Sequence, residues 1–162
     1  MRFNFSALLS LAALTLAPVA TAVVARAAQP LPRVQCPEAA RFGSLQVVPS
    51  TLAPGDSFTV HVDLTCSAQL GYLPTYMDYY IEVLSNNNGH EAPILLARRT
   101  YNLSPTDPSP ADTFTAELPP WYYFEGAQYS VVFQNSFAKS GPNNNSVITT
   151  GAISAAINIT GI

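Results

Sequence analysis

Charge is what this sequence most lacks: charged residues make up 10% of its 162 positions and the formal net charge is −3. Set aside Arg2 and Arg26 near the amino terminus, and the basic side chains are Arg33, Arg41, Arg98, Arg99 and Lys139, against ten acids. No basic stripe remains to hold a phosphate backbone, so nucleic acid is not an expected partner. Histidine is almost missing too, with only His61 and His90. A blue-copper centre needs a thiolate with two imidazoles, and both cysteines have a better use. Oxidative polysaccharide-cleaving copper enzymes begin with His, which positions 23 to 29 do not contain. No Gly-x-Ser-x-Gly elbow appears, which removes the usual serine hydrolase signature. No metal, cofactor or catalytic residue is expected. After the leader no apolar run is long enough to span a bilayer. The stretch from Ala152 to Ile162 is interrupted by Ser154, Asn158 and Thr160, unlike the uninterrupted tail of a GPI signal. No amphipathic helix or internal repeat is legible.

What is present begins with that leader. Arg2 supplies a positive start, Ala7 to Ala20 an apolar run, and Ala20-Thr21-Ala22 small residues for cleavage. This pattern predicts a secretory signal peptide over residues 1–22, cleaved between 22 and 28, and one β-sandwich domain over 29–162. An oxidising compartment follows from secretion. In it the two cysteines, Cys36 and Cys66, are expected to pair, tying the start of the mature chain to the end of an early strand. A bond closing ~30 residues contributes roughly 3 to 4 kcal/mol in chain-entropy terms. Three N-glycosylation sequons stand outside the leader, at Asn102, Asn144 and Asn158.

Period-two segments alternate with clusters of Pro, Gly, Asn and Asp, the rhythm of an all-β sandwich. Strands are expected over 45–48, 57–64, 77–84, 94–101, 113–118, 128–134 and 148–159. In the clearest, Phe58, Val60, Val62 and Leu64 share one face, while Thr59, His61 and Asp63 share the other. The stretch from Pro49 to Asp56 and the run Asn86-Asn87-Asn88-Gly89 read as turns, and Ser104 to Pro110 as a surface loop.

About seven strands in this length resemble an immunoglobulin-like or fibronectin-III-like antiparallel β-sandwich. Leu118 ahead of a turn, followed by Tyr129-Ser130-Val131 after Gly126, resembles the corner between the fifth and sixth strands of such domains. That resemblance implies that the Tyr129 hydroxyl bonds back to upstream backbone. Cys36 and Cys66 do not occupy the inter-sheet positions of antibody domains, so the antibody family is not implied. Several segments, Ala40-Arg41-Phe42-Gly43, Pro54 to Val60, Asp78 to Val83 and Asn87 to Glu91, are also similar in pattern to small secreted proteins of filamentous fungi. This second resemblance implies an extracellular location and supplies no mechanism.

The candidate binding residues are aromatic. Trp121, Tyr122, Tyr123 and Phe124 fall in one inter-strand connection, and Tyr72, Tyr76 and Tyr80 outline another strand. Such rings either cap the open ends of the core or stack on sugar rings through apolar C–H surfaces. Trp121, Tyr122 and Tyr123 are the candidate carbohydrate-binding residues. Glu82, Glu91, Glu117 and Glu125 are the acids available for glycoside hydrolysis, though exposed β domains scatter acids freely. Asn86, Asn87, Asn88 and Glu91 offer oxygen ligands for calcium, but a plain turn explains them. The expectation is a secreted, non-catalytic protein of the cell wall or extracellular space. Its partner would be a polysaccharide or an extracellular protein. The alternative is a carrier of a lipid or small hydrophobic ligand between the two sheets, with an enzyme third. Exposed coplanar rings mark the first, an apolar inter-sheet cavity the second and facing carboxyls across a cleft the third.

Overall fold

Alternation of apolar and polar side chains sets the architecture. A computed structural model describes residues 35–87, 91–101 and 110–162. These build β1 (Ser44–Val48), β2 (Thr51–Leu52), β3 (Ser57–Asp63), α1 (Thr65–Gln69), β4 (Tyr76–Val83), β5 (Ile94–Thr100), β6 (Ala111–Glu117), β7 (Tyr129–Ser140), β8 (Ser146–Ala156) and β9 (Asn158–Ile159). The signal peptide expected over 1–22 lies outside the described residues, as do Asn88, Gly89, His90 and Asn102. Among the described residues, no helix is long and apolar enough to cross a membrane.

The fold is an all-β sandwich of two antiparallel sheets, ordered β1-β3-β6 and β5-β4-β7-β8. β2 and β9 form a separate short parallel pair. Phe58, Val60 and Val62 of β3 point inward, as the alternation requires, and meet Tyr79 and Ile81 of β4 with Val131 and Phe133 of β7 in one core. Tyr79 spans the interior. Its ring lies edge-on to Phe114 of β6 at 4.8 Å and 5.2 Å from Phe133. Such aromatic contacts are worth about 0.5–1.5 kcal/mol each beyond their buried area. The Tyr79 hydroxyl donates to Asp112 Oδ2 at 2.8 Å, and the same oxygen accepts from Arg99 Nε at 2.7 Å. A carboxylate of β6 is thus held by a phenol of β4 and a guanidinium of β5, which joins the two sheets. Burial, with the Asp112 charge behind it, pushes the Tyr79 phenol well above its ordinary range. On the outer face of β4, Asp78 takes a two-pronged contact from Arg98, which lowers its carboxyl.

Each of the seven expected strands is present with shifted ends, and two short strands, β2 and β9, bring the described residues to nine. The expected last strand, 148–159, divides at Ile157, where the chain leaves β7 to pair with β2. β7 runs to Ser140, six residues past the expected end. A five-residue helix, α1, also stands where none was expected. Cys36 and Cys66 form the disulfide, but Cys66 lies within α1 and not on the preceding strand.

The disulfide marks one end of the sandwich. There Phe42, Tyr72 and Phe137 cluster at centroid distances of 4.8–6.0 Å. The Phe42 ring lies so close to Gly151 of β8 that a Cβ there would sit 2.4 Å from ring carbon. Buried Asn135 donates to Ser67 Oγ at 2.9 Å and to the Tyr72 carbonyl at 2.8 Å, docking the α1 segment on β7. At the opposite end β4 and β6 finish and β5 and β7 begin, and the candidate site is built there.

Candidate functional site

Pro119 and Pro120 follow β6 after one residue, Leu118, and without backbone N–H groups they cannot extend its ladder. Leu118 is bonded on both sides, its amide to the Asp56 carbonyl and its carbonyl to the Gly55 amide, each at 2.8 Å. The chain must therefore turn away from the sheet at a fixed point. It returns through Gly126, whose φ of +78° suits glycine.

Two tyrosines hold the turn from inside. Tyr123 is only 8% exposed, sets its ring edge-on to Tyr129 at 5.3 Å, and donates from its hydroxyl to the Pro119 carbonyl at 2.8 Å. The Tyr129 hydroxyl accepts from the Phe124 amide at 2.9 Å and donates to Glu91 Oε1. This is the bond back to upstream backbone expected of Tyr129, with a carboxylate added. Burial first, and then the nearby Glu91 carboxylate, push both phenols up to about 12.

With Tyr123 turned in, its neighbours are turned out. Trp121 is 61% exposed, Tyr122 86% and Phe124 55%. Together with Glu91, Pro93, Ile94 and Pro119 they line a surface cleft of about 550 Å³. A second hollow of about 310 Å³ is lined by Val83, Asn86, Asn87, Glu91, Phe124 and Ala127. Glu91 and Phe124 belong to both, so Tyr129 anchors the side chain or backbone of the two residues the hollows share. Asn87 and Glu91 are tied together: the Asn87 side chain donates to the Glu91 carbonyl and accepts from its amide, both at 2.8 Å.

The candidate carbohydrate-binding residues thus divide. Trp121 and Tyr122 face solvent and line the cleft. Tyr123 does not belong with them, because its ring and hydroxyl hold the turn, and Phe124 occupies the exposed position instead. The two exposed rings are also not coplanar, standing 6.3 Å apart with an interplanar angle of 64°. They act as walls of a cleft and not as a flat platform. Of the candidate acids, Glu91 lines both hollows. The Asn87 amide, offered above as a calcium ligand, instead closes its own turn. His61 lies on β3, where Nδ1 meets Thr113 Oγ1 of β6 at 2.7 Å. Among the described residues, no group of three or more His, Cys, Asp or Glu could hold a metal ion. Asn144 and Asn158 are both exposed.

Glu91 as the anchored acid of an aromatic cleft was not anticipated. The available signal was the corner tyrosine: a hydroxyl buried at Tyr129 needs partners, and Glu91 supplies one. No protein-family model matches the chain, and no curated protein matches its sequence.

Proposed function

We propose that this chain is a secreted, N-glycosylated, non-catalytic binding protein of the cell wall or extracellular space, and that it holds carbohydrate at the aromatic cleft. The observation that carries the reading is the pair of solvent-facing rings, Trp121 and Tyr122, along a cleft that also contains the Glu91 carboxylate. Indole and phenol faces stack on the apolar C–H surface of a sugar, and a carboxylate accepts from its hydroxyls. Adjacent large rings left in water form the kind of apolar patch that marks an interaction site. The leader, the disulfide and the exposed Asn144 and Asn158 fit secretion. The three-strand and four-strand sheets, with Tyr129 at the corner, fit a fibronectin-III-like type.

Retention of the purified protein on insoluble chitin, β-glucan and cellulose tests the reading. Wild type is expected to be retained on at least one polymer, and Trp121→Ala and Tyr122→Ala are expected to release it without lowering the melting temperature. Retention that both substitutions leave intact would place binding elsewhere.

A further inference from the structure

The cations of the described residues are gathered at one end of the sandwich. Every described cation belongs to the disulfide end. Arg98 and Arg99 stand opposite Asp78 and Met77, at the start of β4. Arg41 precedes β1, and Lys139 sits over the Tyr72 ring on the β7–β8 hairpin. Arg41, Arg98 and Arg99 are each already paired with a carboxylate, Glu38, Asp78 and Asp112.

The cleft end carries acids without cations, whereas at the disulfide end the cations stand among Glu38, Asp63, Asp78 and Asp112. Besides Glu91 in the cleft wall, Glu82 adjoins Val83, Glu117 ends β6 two residues before Pro119, Glu125 follows Phe124, and the Asp56 carbonyl holds Leu118. Among the described residues no Lys or Arg offsets them there. A cleft whose walls are Trp121, Tyr122 and Phe124, and whose acid is fixed by Tyr129, therefore lies in a field of one sign. Aromatic faces attract cations as well as C–H surfaces, and Trp does so best. A neutral sugar would use only part of this arrangement.

We infer that the cleft selects a cationic polysaccharide, a β-linked polymer of glucosamine with free amines, over neutral glucans and over the N-acetylated polymer. This rests on the carbohydrate reading above and narrows its ligand. The pyranose C–H face would stack on Trp121 or Tyr122, while the protonated amine lies against the Glu91 carboxylate and the neighbouring ring. The surrounding carboxylates would raise the local concentration of the polymer and speed its arrival.

The test is retention of the full mature chain on chitosan, on the same beads after N-acetylation, and on cellulose, β-glucan and poly-lysine beads. Chitosan is expected to hold the protein about tenfold or more tighter than the neutral polymers. Raising ionic strength from about 0.01 to about 0.15 M, which shortens the screening length from about 30 to about 8 Å, is expected to shrink that preference. Glu91→Gln keeps an acceptor for Tyr129 and should cut chitosan retention severalfold, and by more than it cuts retention on neutral beads. Glu125→Gln, an exposed change outside the Tyr129 contact, should do so more weakly and guards against a folding artefact. Equal retention on chitosan and on its N-acetylated form overturns the inference while leaving the carbohydrate reading standing. Retention on no polysaccharide overturns both. If poly-lysine holds wild type and Trp121→Ala as firmly as chitosan holds wild type, charge alone is responsible and the inference also fails.

Discussion

Replacing Tyr129 by Phe removes one oxygen and leaves the buried ring in place, so it isolates what the corner hydroxyl does. That oxygen accepts from the Phe124 amide at 2.9 Å and donates to Glu91. In the variant the amide loses its acceptor in a half-buried turn, while the carboxylate, open to the cleft, can turn to water. One unsatisfied amide and one lost charged hydrogen bond together imply about 1–3 kcal/mol. For a domain of this size that is a fall of about 4–11 °C in melting temperature. Urea unfolding followed by circular dichroism measures it, since Trp121 fluorescence would report only on its own exposed loop. A cycle with Glu91→Ala, which removes the acceptor, should show the two changes to be non-additive by about 0.5–1.5 kcal/mol. If Tyr129→Phe unfolds within about 0.3 kcal/mol of wild type, the hydroxyl does not anchor the corner, and the account of how Glu91 is positioned falls with it.

Three further outcomes follow from other contacts. Gly151→Ala would place a methyl 2.4 Å from the Phe42 ring, so it should cost about 1–3 kcal/mol by urea titration, and a Phe42→Ala background should remove most of that increment. Cys36→Ser with Cys66→Ser opens a loop of sequence separation 30 and should lower stability by about 3–4 kcal/mol, with reductant destabilising wild type but not the variant. Tyr123 and Tyr129 keep their protons to about pH 12, whereas in the unfolded chain they release them near the ordinary value of about 10. The unfolded state therefore binds fewer protons across that window, so the stability is complete below pH 10 and falls as pH rises toward 12, less steeply in Tyr129→Phe. Urea midpoints measured across that range decide it.

The strands that were legible in the sequence are those whose alternation is clean. Phe58, Val60 and Val62 alternate with Thr59, His61 and Asp63, and the structure buries the first set. β7 was read too short because its inward sequence passes through Asn135, a polar residue whose burial makes sense only once Ser67 and the Tyr72 carbonyl are beside it. β2 is two residues long and nothing local distinguishes it from loop, whereas β9 falls within the expected last strand; the two pair because the ends of distant segments meet. The same limit explains the site. Four consecutive aromatics, 121 to 124, carry no alternation, so which ring turns inward depends on the curvature of the turn and on Tyr129 across it. Composition located the cluster, whereas its division into anchor and cleft wall needed three-dimensional contacts.

The ring closed by Cys36 and Cys66 contains β1, β2 and β3, and β2 in turn holds β9. Under tension this has a mechanical meaning. A pull entering ahead of Cys36 crosses the sulfur–sulfur bond to Cys66 and leaves the enclosed strands slack. A pull on the chain after β9 instead runs along a parallel pair, where the bonds from the Asn158 amide to Ser50 and from the Thr160 amide to Leu52 are sheared together and not peeled one by one. Cys36 is thus tied to one covalent loop by a covalent bond, and residues 158–160 are tied to the same loop by backbone bonds that must break together.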